Sequence, residues 1–162
     1  AAAALRGVRA VKGRGARETI AIAGGSFDLL DESYNANPAS VAAALALLGV
    51  SRPGPGGRRI AVLGDMLELG SEAAAMHAGL AAPVLAASCD LVFACGPSMS
   101  HLWAELPVSI RGAYAQSSAD FAQMVAADIR PGDVVMVKGS LGSRMALVVD
   151  ALKARALEAA AG

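Results

Sequence analysis

DVVMVKGS, residues 133–140, decides the architecture. Val134, Val135, Met136 and Val137 form an unbroken apolar run rich in β-branched residues. Such a run, with turn residues on both sides, predicts a strand buried on both faces, as parallel sheets require. Pro131-Gly132 turns the chain into it, and Lys138-Gly139-Ser140 ends it and opens a helix to about Ala160. Upstream the same alternation recurs. RIAVL (59–63) ends in Gly64-Asp65, and LVFAC (91–95) ends in Gly96-Pro97. GAYA (112–115) is a weaker strand. Between them lie a long helical stretch over 71–88, a short helix over 98–105, and a helix from Ser117 to about Ile129. Glu72 sits in the first turn of the first, and Ser117 with Asp120 offers a capping-box start for the last.

Toward the N-terminus, SRPGPGG (51–57) reads as an exposed loop, and Val41–Leu48 as a helix opened by Pro38 and stopped by Gly49. TIAIA (19–23) and SFDLLD (26–31), split by Gly24-Gly25, read as a hairpin. The expected fold is therefore α/β: a three-layer, Rossmann-like, mainly parallel sheet with helices on both faces and an N-terminal hairpin strand. Ligands of such sheets bind beyond the carboxyl ends of the strands, so the polar residues there are the ones to interrogate.

The 162 residues suit one compact domain, and 55% of them are hydrophobic while only 4% are aromatic. The core must come from Ala, Val, Leu and Ile. Lys+Arg and Asp+Glu stand at 14 each, so no global field draws nucleic acid or anionic lipid. The basic N-terminal stretch (Arg6, Arg9, Lys12, Arg14, Arg17) lacks interleaved aromatics and reads as a solvated linker. Cys89 and Cys95 have no metal-ligand company and read as small buried hydrophobes in a reducing compartment. Charges, Gly and Pro interrupt every apolar run, so neither a membrane span nor a leader is expected, and a cytoplasmic location is. A start without Met, in mid-pattern, reads as a fragment.

Three segments carry chemistry. In DESYNANP (31–38), Asp31 and Glu32 can accept from hydroxyls such as those of ribose, and Tyr34, Asn35 and Asn37 precede a helix start. Capping and turn formation is the plain structural alternative. In VLGDMLELG (62–70), Gly64 permits a sharp turn, and Asp65 and Glu68 reach the sheet edge, either as substrate or interdomain contacts or as turn acids. His77 follows, with a structural role as its alternative. In VKGSLGSRM (137–145), Lys138 beside Gly139 and Ser140 suits an anion, with an ordinary helix cap as the alternative. No G-x-x-x-x-G-K-[ST] loop, nucleophile triad or metal cluster appears. Trp103 and the six methionines read as packing.

In that order and spacing, DESYNANP, VLGDMLELG with His77, and VKGSLGSRM resemble the C-terminal domain of the Mur ligases, over about residues 8–155. The SYNANP and LGDMxELG wording resembles the branch that joins D-Ala-D-Ala to UDP-N-acetylmuramoyl-tripeptide in peptidoglycan synthesis. The resemblance implies an ATP- and Mg2+-dependent amide ligase working through an acyl phosphate. Most metal ligands would lie in a central ATPase domain, with the UDP-sugar on an N-terminal one. It implies that residues 1–17 are the tail of that central domain and a hinge, and that 18–162 are the C-terminal domain. A lone C-terminal domain would be inactive.

Carried over by position, Asp31 or Glu32 would hold the ATP ribose, and Tyr34, Asn35 and Asn37 would line the adenine side. Lys138 and Ser140, with Gly139, would face the dipeptide or the tetrahedral intermediate as catalytic groups. Arg14, in KGRG (12–15), would approach the phosphates on closure. Asp65, Glu68, His77 and Arg144 would be substrate or interdomain contacts, without firmer roles. Two departures stand out: Glu32 replaces a usual Asp, and Arg144 comes later than the Arg that many relatives carry just after K-G-S. A sister ligase adding a single amino acid or glutamate, and a receiver-like module with Asp65 as phospho-acceptor, are the competing readings.

Overall fold

The computed structural model describes residues 15–161. Six strands form one sheet: β1 (Ala16–Ile22), β2 (Gly25–Glu32), β3 (Arg59–Gly64), β4 (Leu91–Cys95), β5 (Arg111–Ala115) and β6 (Val134–Lys138). Their order across the sheet is β1-β2-β6-β3-β4-β5. β1 runs antiparallel to β2, and the other pairings are parallel. Among the described residues, six α-helices connect and flank them: α1 (Pro38–Val50), α2 (Ala73–Ala78), α3 (Ala81–Ala86), α4 (Met99–Glu105), α5 (Ser118–Asp128) and α6 (Ala146–Ala161).

The alternation of side chains along β6 explains the layers. Val135 and Val137 join Phe27, Leu29, Val62 and Phe93 under α5 and α6. Val134 and Met136 point the other way, with Leu30, Leu63 and Ala94, under α1 and the helices of the 73–105 region. Both faces are covered, which is why the strand reads as a continuous apolar run. Each such buried side chain contributes about 1.5–3 kcal/mol. Cys89 and Cys95 are buried free thiols, and burial is the main cause that pushes each up to about 11.

Several boundaries differ from the sequence reading. The 71–88 stretch is not one helix: a 3-10 turn (Gly70–Glu72) leads to α2, and α3 starts afresh after Gly79-Leu80. Pro83 supplies the reason, since inside a longer helix its ring would clash with the carbonyl of Gly79 and leave it without a donor. Gly49 does not stop α1, which runs on to Val50. It instead lets the helix approach Ala87, whose Cα would lie 3.0 Å from an added Cβ. Ser117 does precede α5, but its hydroxyl makes no capping bond. Asp120 is one methylene short of the Glu that a capping box uses. The final helix opens at Ala146 rather than at Gly139, because a 3-10 turn (Leu141–Ser143) and a left-handed Arg144 intervene. Strand β6 begins one residue late, since Asp133 turns aside to bind Arg58 at 2.8 Å.

The loop before β3 is pressed against the turn before β6. Gly54 N–H donates to the Gly132 carbonyl at 2.8 Å, and a Cβ on Gly57 would lie 1.9 Å from that same oxygen.

Candidate functional site

The carboxyl ends of β2, β6, β3 and β4 meet along one edge and carry Asp31–Glu32, Lys138–Ser140, Gly64-Asp65 and Cys95-Gly96. This parallel edge brings the three sequence segments together. Arg14 lies outside the described residues, although the next residue, Gly15, binds the Asp31 carbonyl through its N–H.

Asp31 and Glu32 are consecutive strand residues, so they face opposite sides of the sheet. Asp31 is only 3% exposed. Its Oδ1 accepts from Ser33 N–H at 3.1 Å and Ser33 Oγ at 2.6 Å, which turns the chain at the strand end. Its Oδ2 is buried without a hydrogen-bond partner among the described residues. Glu32 pairs in register with Lys138 on the opposite face, and its side chain stays 20% exposed. Of the two acids, Glu32 is the one open to a ligand.

Lys138 is nearly buried, at 5% exposure. Its Nζ donates to the Asn35 carbonyl at 2.9 Å and lies 3.7 Å from Glu32 Oε2. Burial pushes the ammonium below the ordinary lysine range, and the Glu32 carboxylate works against that shift. The lysine thereby ties the 33–37 loop to the centre of the sheet. Asn37 caps α1: its Oδ1 accepts from Ser40 N–H at 2.9 Å, and Ser40 Oγ accepts from Asn37 N–H at 3.0 Å. Asn35 Oδ1 accepts from Ala36 N–H. Tyr34 is exposed. The capping alternative thus describes Asn37, while the loop it fixes keeps Tyr34 and Asn35 at the surface.

Ser140 and Asp65 act within the protein. Ser140 Oγ accepts from Leu67 N–H at 2.8 Å and donates to the Ala36 carbonyl at 3.3 Å, and Ser140 N–H donates to the Asp65 carbonyl. One side chain therefore joins all three segments. Asp65 is buried and accepts from the N–H groups of Met99 at 2.9 Å and Ser98 at 3.2 Å. It caps α4 across the chain, where the dipole favours a carboxylate. Gly96 must be glycine: its φ is +115°, and an added Cβ would stand 2.4 Å from the Asp65 carboxylate. Gly139 and Gly64 play a related part, since Cβ atoms there would meet Ser143 Oγ at 2.5 Å and Met145 Cγ at 2.6 Å. Glu68 is exposed and left-handed (φ 62°), a conformation uncommon outside glycine.

His77 is fully buried. Its Nε2 accepts from Met66 N–H at 3.0 Å, so Nδ1 carries the proton and donates to the Ala73 carbonyl. Both ring nitrogens are spent on backbone, which makes His77 a clamp on the 65–69 loop and realises its structural alternative. His77→Ala would strand the buried Met66 N–H, at a cost of about 2–4 kcal/mol. Urea denaturation of the variant should show that loss, and a change under 0.5 kcal/mol would remove the clamp.

Sequence reasoning missed the backbone partners of Asp65, His77 and Ser140, and the cavity beside Asp65. That cavity, of about 410 Å3, adds Cys95, Gly96, Ser117 and Ser118 to the candidates Asp65 and Arg144, which also line it. Among the described residues, no group of three or more His, Cys, Asp or Glu side chains could hold a metal ion, and no helix is long and apolar enough to cross a membrane.

The chain is similar to known proteins over most of its length. A family model, "Mur ligase, glutamate ligase domain", matches residues 17–141. The UDP-N-acetylmuramoyl-tripeptide–D-alanyl-D-alanine ligase of Mycobacterium tuberculosis (strain CDC 1551 / Oshkosh) is 32% identical over 157 residues, covering 85% of this chain and 31% of that protein. The ligase of the same name from Synechocystis is 37% identical over 131 residues, covering 78% and 27%. A crystal structure of MurF from Acinetobacter baumannii superposes with a TM-score of 0.77 at 26% identity, covering 93% of this chain and 32% of that one. MurF of Thermotoga maritima, solved in complex with ADP, has the same fold, with a TM-score of 0.74 at 22% identity, covering 94% and 33%. The chain spans about a third of the length of these relatives. With the six-stranded sheet and three strand-end segments on one edge, the match over 17–141 means that the chain belongs to the Mur ligase family, as its glutamate ligase domain.

Proposed function

We propose that this chain is the C-terminal domain of an ATP-dependent ligase that adds D-Ala-D-Ala to UDP-N-acetylmuramoyl-tripeptide in the cytoplasm. The observation that carries the reading is the Lys138 tie, which joins Glu32, the Asn35 loop and the centre of the sheet at one edge. The names of the relatives from Mycobacterium and Synechocystis supply the substrates. Residues 1–17 would be the tail of a central ATPase domain and a hinge, with Arg14 reaching the phosphates on closure. Glu32, partly exposed at the strand end, would accept from the ribose hydroxyls, and Tyr34 and Asn35 would flank the adenine. ADP in the Thermotoga protein of the same fold agrees with a nucleotide here.

ATP supplies the phosphoryl group that activates the peptide carboxylate. The described residues do not build a magnesium site, and magnesium ligands belong to the central domain in this reading. What this domain contributes is position: it orients the nucleotide, presents the amine, and excludes water when the domains close. Alone it would hydrolyse nothing, since no phosphate-binding P-loop occurs in its sequence. The receiver-like alternative loses its phospho-acceptor, because both oxygens of the buried Asp65 are held by backbone N–H groups.

The test is phosphate release by the full-length protein with ATP, magnesium and UDP-N-acetylmuramoyl-tripeptide, adding D-Ala-D-Ala, D-Ala or D-Glu in turn. Release that depends on D-Ala-D-Ala supports the reading. Release with a different amine moves the chain to a sister ligase, and none with any amine sinks the ligase assignment.

A further inference from the structure

The two helical layers differ in what they show to water. On one face of the sheet, α5 and α6 turn Asp120, Gln123 and Asp150 outward, as surface helices do. On the other face, every exposed residue of α1, α2 and α3 is apolar. No Asp, Glu, Lys or Arg occurs between Ser33 and Ser51, or between Ala73 and Cys89. The one histidine of these helices, His77, is buried. Helix α1 is the extreme case. Its inner side buries Val41, Ala44, Leu45 and Leu48, and its outer side exposes Ala39, Ala43, Ala46, Leu47 and Val50. A helix that is apolar all round belongs in an interior.

The outer residues are also spaced for a helical partner. Ala39, Ala43, Ala46 and Val50 follow one another at steps of four, three and four, the spacing of a helix–helix seam. Alanine at three of the four positions lets a second backbone come close. Helix α3 widens the surface, because α1 meets it at Gly49, where an added Cβ would stand 3.0 Å from the Ala87 Cα. It exposes Ala82, Leu85 and Ala86. Leu47, Val50 and Leu85 are 43%, 77% and 51% exposed. With the five exposed alanines of α1 and α3 they show about 500 Å2, so two such faces together would bury about 1,000 Å2, where specific interfaces begin.

The charge pattern selects the occupant. An anionic lipid surface asks for lysine or arginine around the apolar face, and these three helices carry none. The chain upstream of Gly15 joins the sheet at its carboxyl edge, beside the Asp31 carbonyl, whereas this face runs on to the amino edge, where α1 ends at Val50 and α3 at Ala86. An uncharged face can meet its own image with no like-charge repulsion. The seam reads the same in both directions: in an antiparallel pair, Ala39 stands opposite Val50, and Ala43 opposite Ala46. We propose that α1 and α3 form a two-fold interface with a second copy of this protein, with the α1 seam at its centre.

The experiment is sedimentation velocity of the full-length protein between about 1 and 100 μM, since a Kd of about 1–10 μM fits an interface of this small size. The wild type should dimerise. Ala43→Glu puts an unpaired carboxylate into the seam twice and should raise Kd at least about 100-fold. Mixed in equal amounts with Ala46→Lys, it should form a heterodimer within about tenfold of the wild-type Kd, because the two charges then face each other. A wild type that stays monomeric at the top concentration overturns the proposal. If that monomer also loses thermal stability in Ala43→Glu, the face is covered by the rest of the polypeptide instead. A wild-type Kd in Ala43→Glu places the dimer contact elsewhere, and no recovery in the mixture removes the antiparallel seam; either overturns the proposal. If Ala43→Glu fails to fold by circular dichroism, Leu85→Gln on α3 must weaken the dimer at least about tenfold, and a wild-type Kd there overturns it equally. Sedimentation reads association alone, so the result stands whichever amine the ligase takes.

Discussion

Gly57→Ala should unfold the domain or cost it about 4 kcal/mol or more, while Gly56→Ala, one residue away, should cost about 1 kcal/mol. An added Cβ at position 57 would stand 1.9 Å from the Gly132 oxygen and 2.3 Å from its carbonyl carbon. These are backbone atoms, and they cannot swing aside as a side chain tip would. The Gly132 carbonyl also binds Gly54 N–H, and Gly132 N–H binds the Ser26 carbonyl, so relief would break the links among three loops. At Gly56 an added Cβ meets nothing within 4 Å, and only its positive φ of 73° is lost. That leaves the ordinary penalty for a left-handed alanine. Thermal and urea unfolding of the two variants side by side would measure the difference. Equal stabilities would show that the loop retreats freely.

In the full-length protein, Lys138→Met should leave the fold intact and, on the proposed function, remove most of the ligase activity. A buried ammonium is costly to desolvate, and an apolar chain of similar length fills its space, so stability should change by only about 1 kcal/mol. The loss falls on geometry. Without Nζ the Asn35 carbonyl has no partner at 2.9 Å, and Glu32 has no cation at 3.7 Å to hold it beside the loop. Removing one preorganised charged donor from a ligase site costs about 2.7–4 kcal/mol in the transition state, or roughly 10²–10³-fold in kcat. Steady-state kinetics of the folded variant checks this. If kcat/KM falls less than about fivefold, Lys138 is a packing residue.

The strands were legible because their residues state their burial directly. RIAVL, LVFAC and VVMV are short, apolar and punctuated by Gly or Pro. The break at Gly79-Leu80 was not, because alanine favours helix on either side of it and hides the effect of Pro83. The site was legible as three segments and opaque as a mechanism. Asp65, His77 and Ser140 each find a backbone partner that a sequence does not display: Met99 N–H, Met66 N–H and Leu67 N–H. Asp31 against Glu32 turns on one residue of strand length. With the strand ending at residue 31 Glu32 falls in a loop and its side is undefined, whereas with its end at Glu32 the pleat places the two acids on opposite faces.

The position of β6 has a consequence for synthesis on the ribosome. The last strand of the chain lies between the second and the third and supplies both with their inner neighbour. Until residues 134–138 leave the exit tunnel, β2 and β3 each present an open, apolar edge to the cytosol, the kind of edge that pairs with other chains. A nascent chain arrested before Val134 therefore holds two half-sheets without the strand that joins them. Lys138, at the end of that strand, and Ser140, just after it, arrive together with the strand that closes the gap, so the sheet edge and the site on it are completed in a single late event.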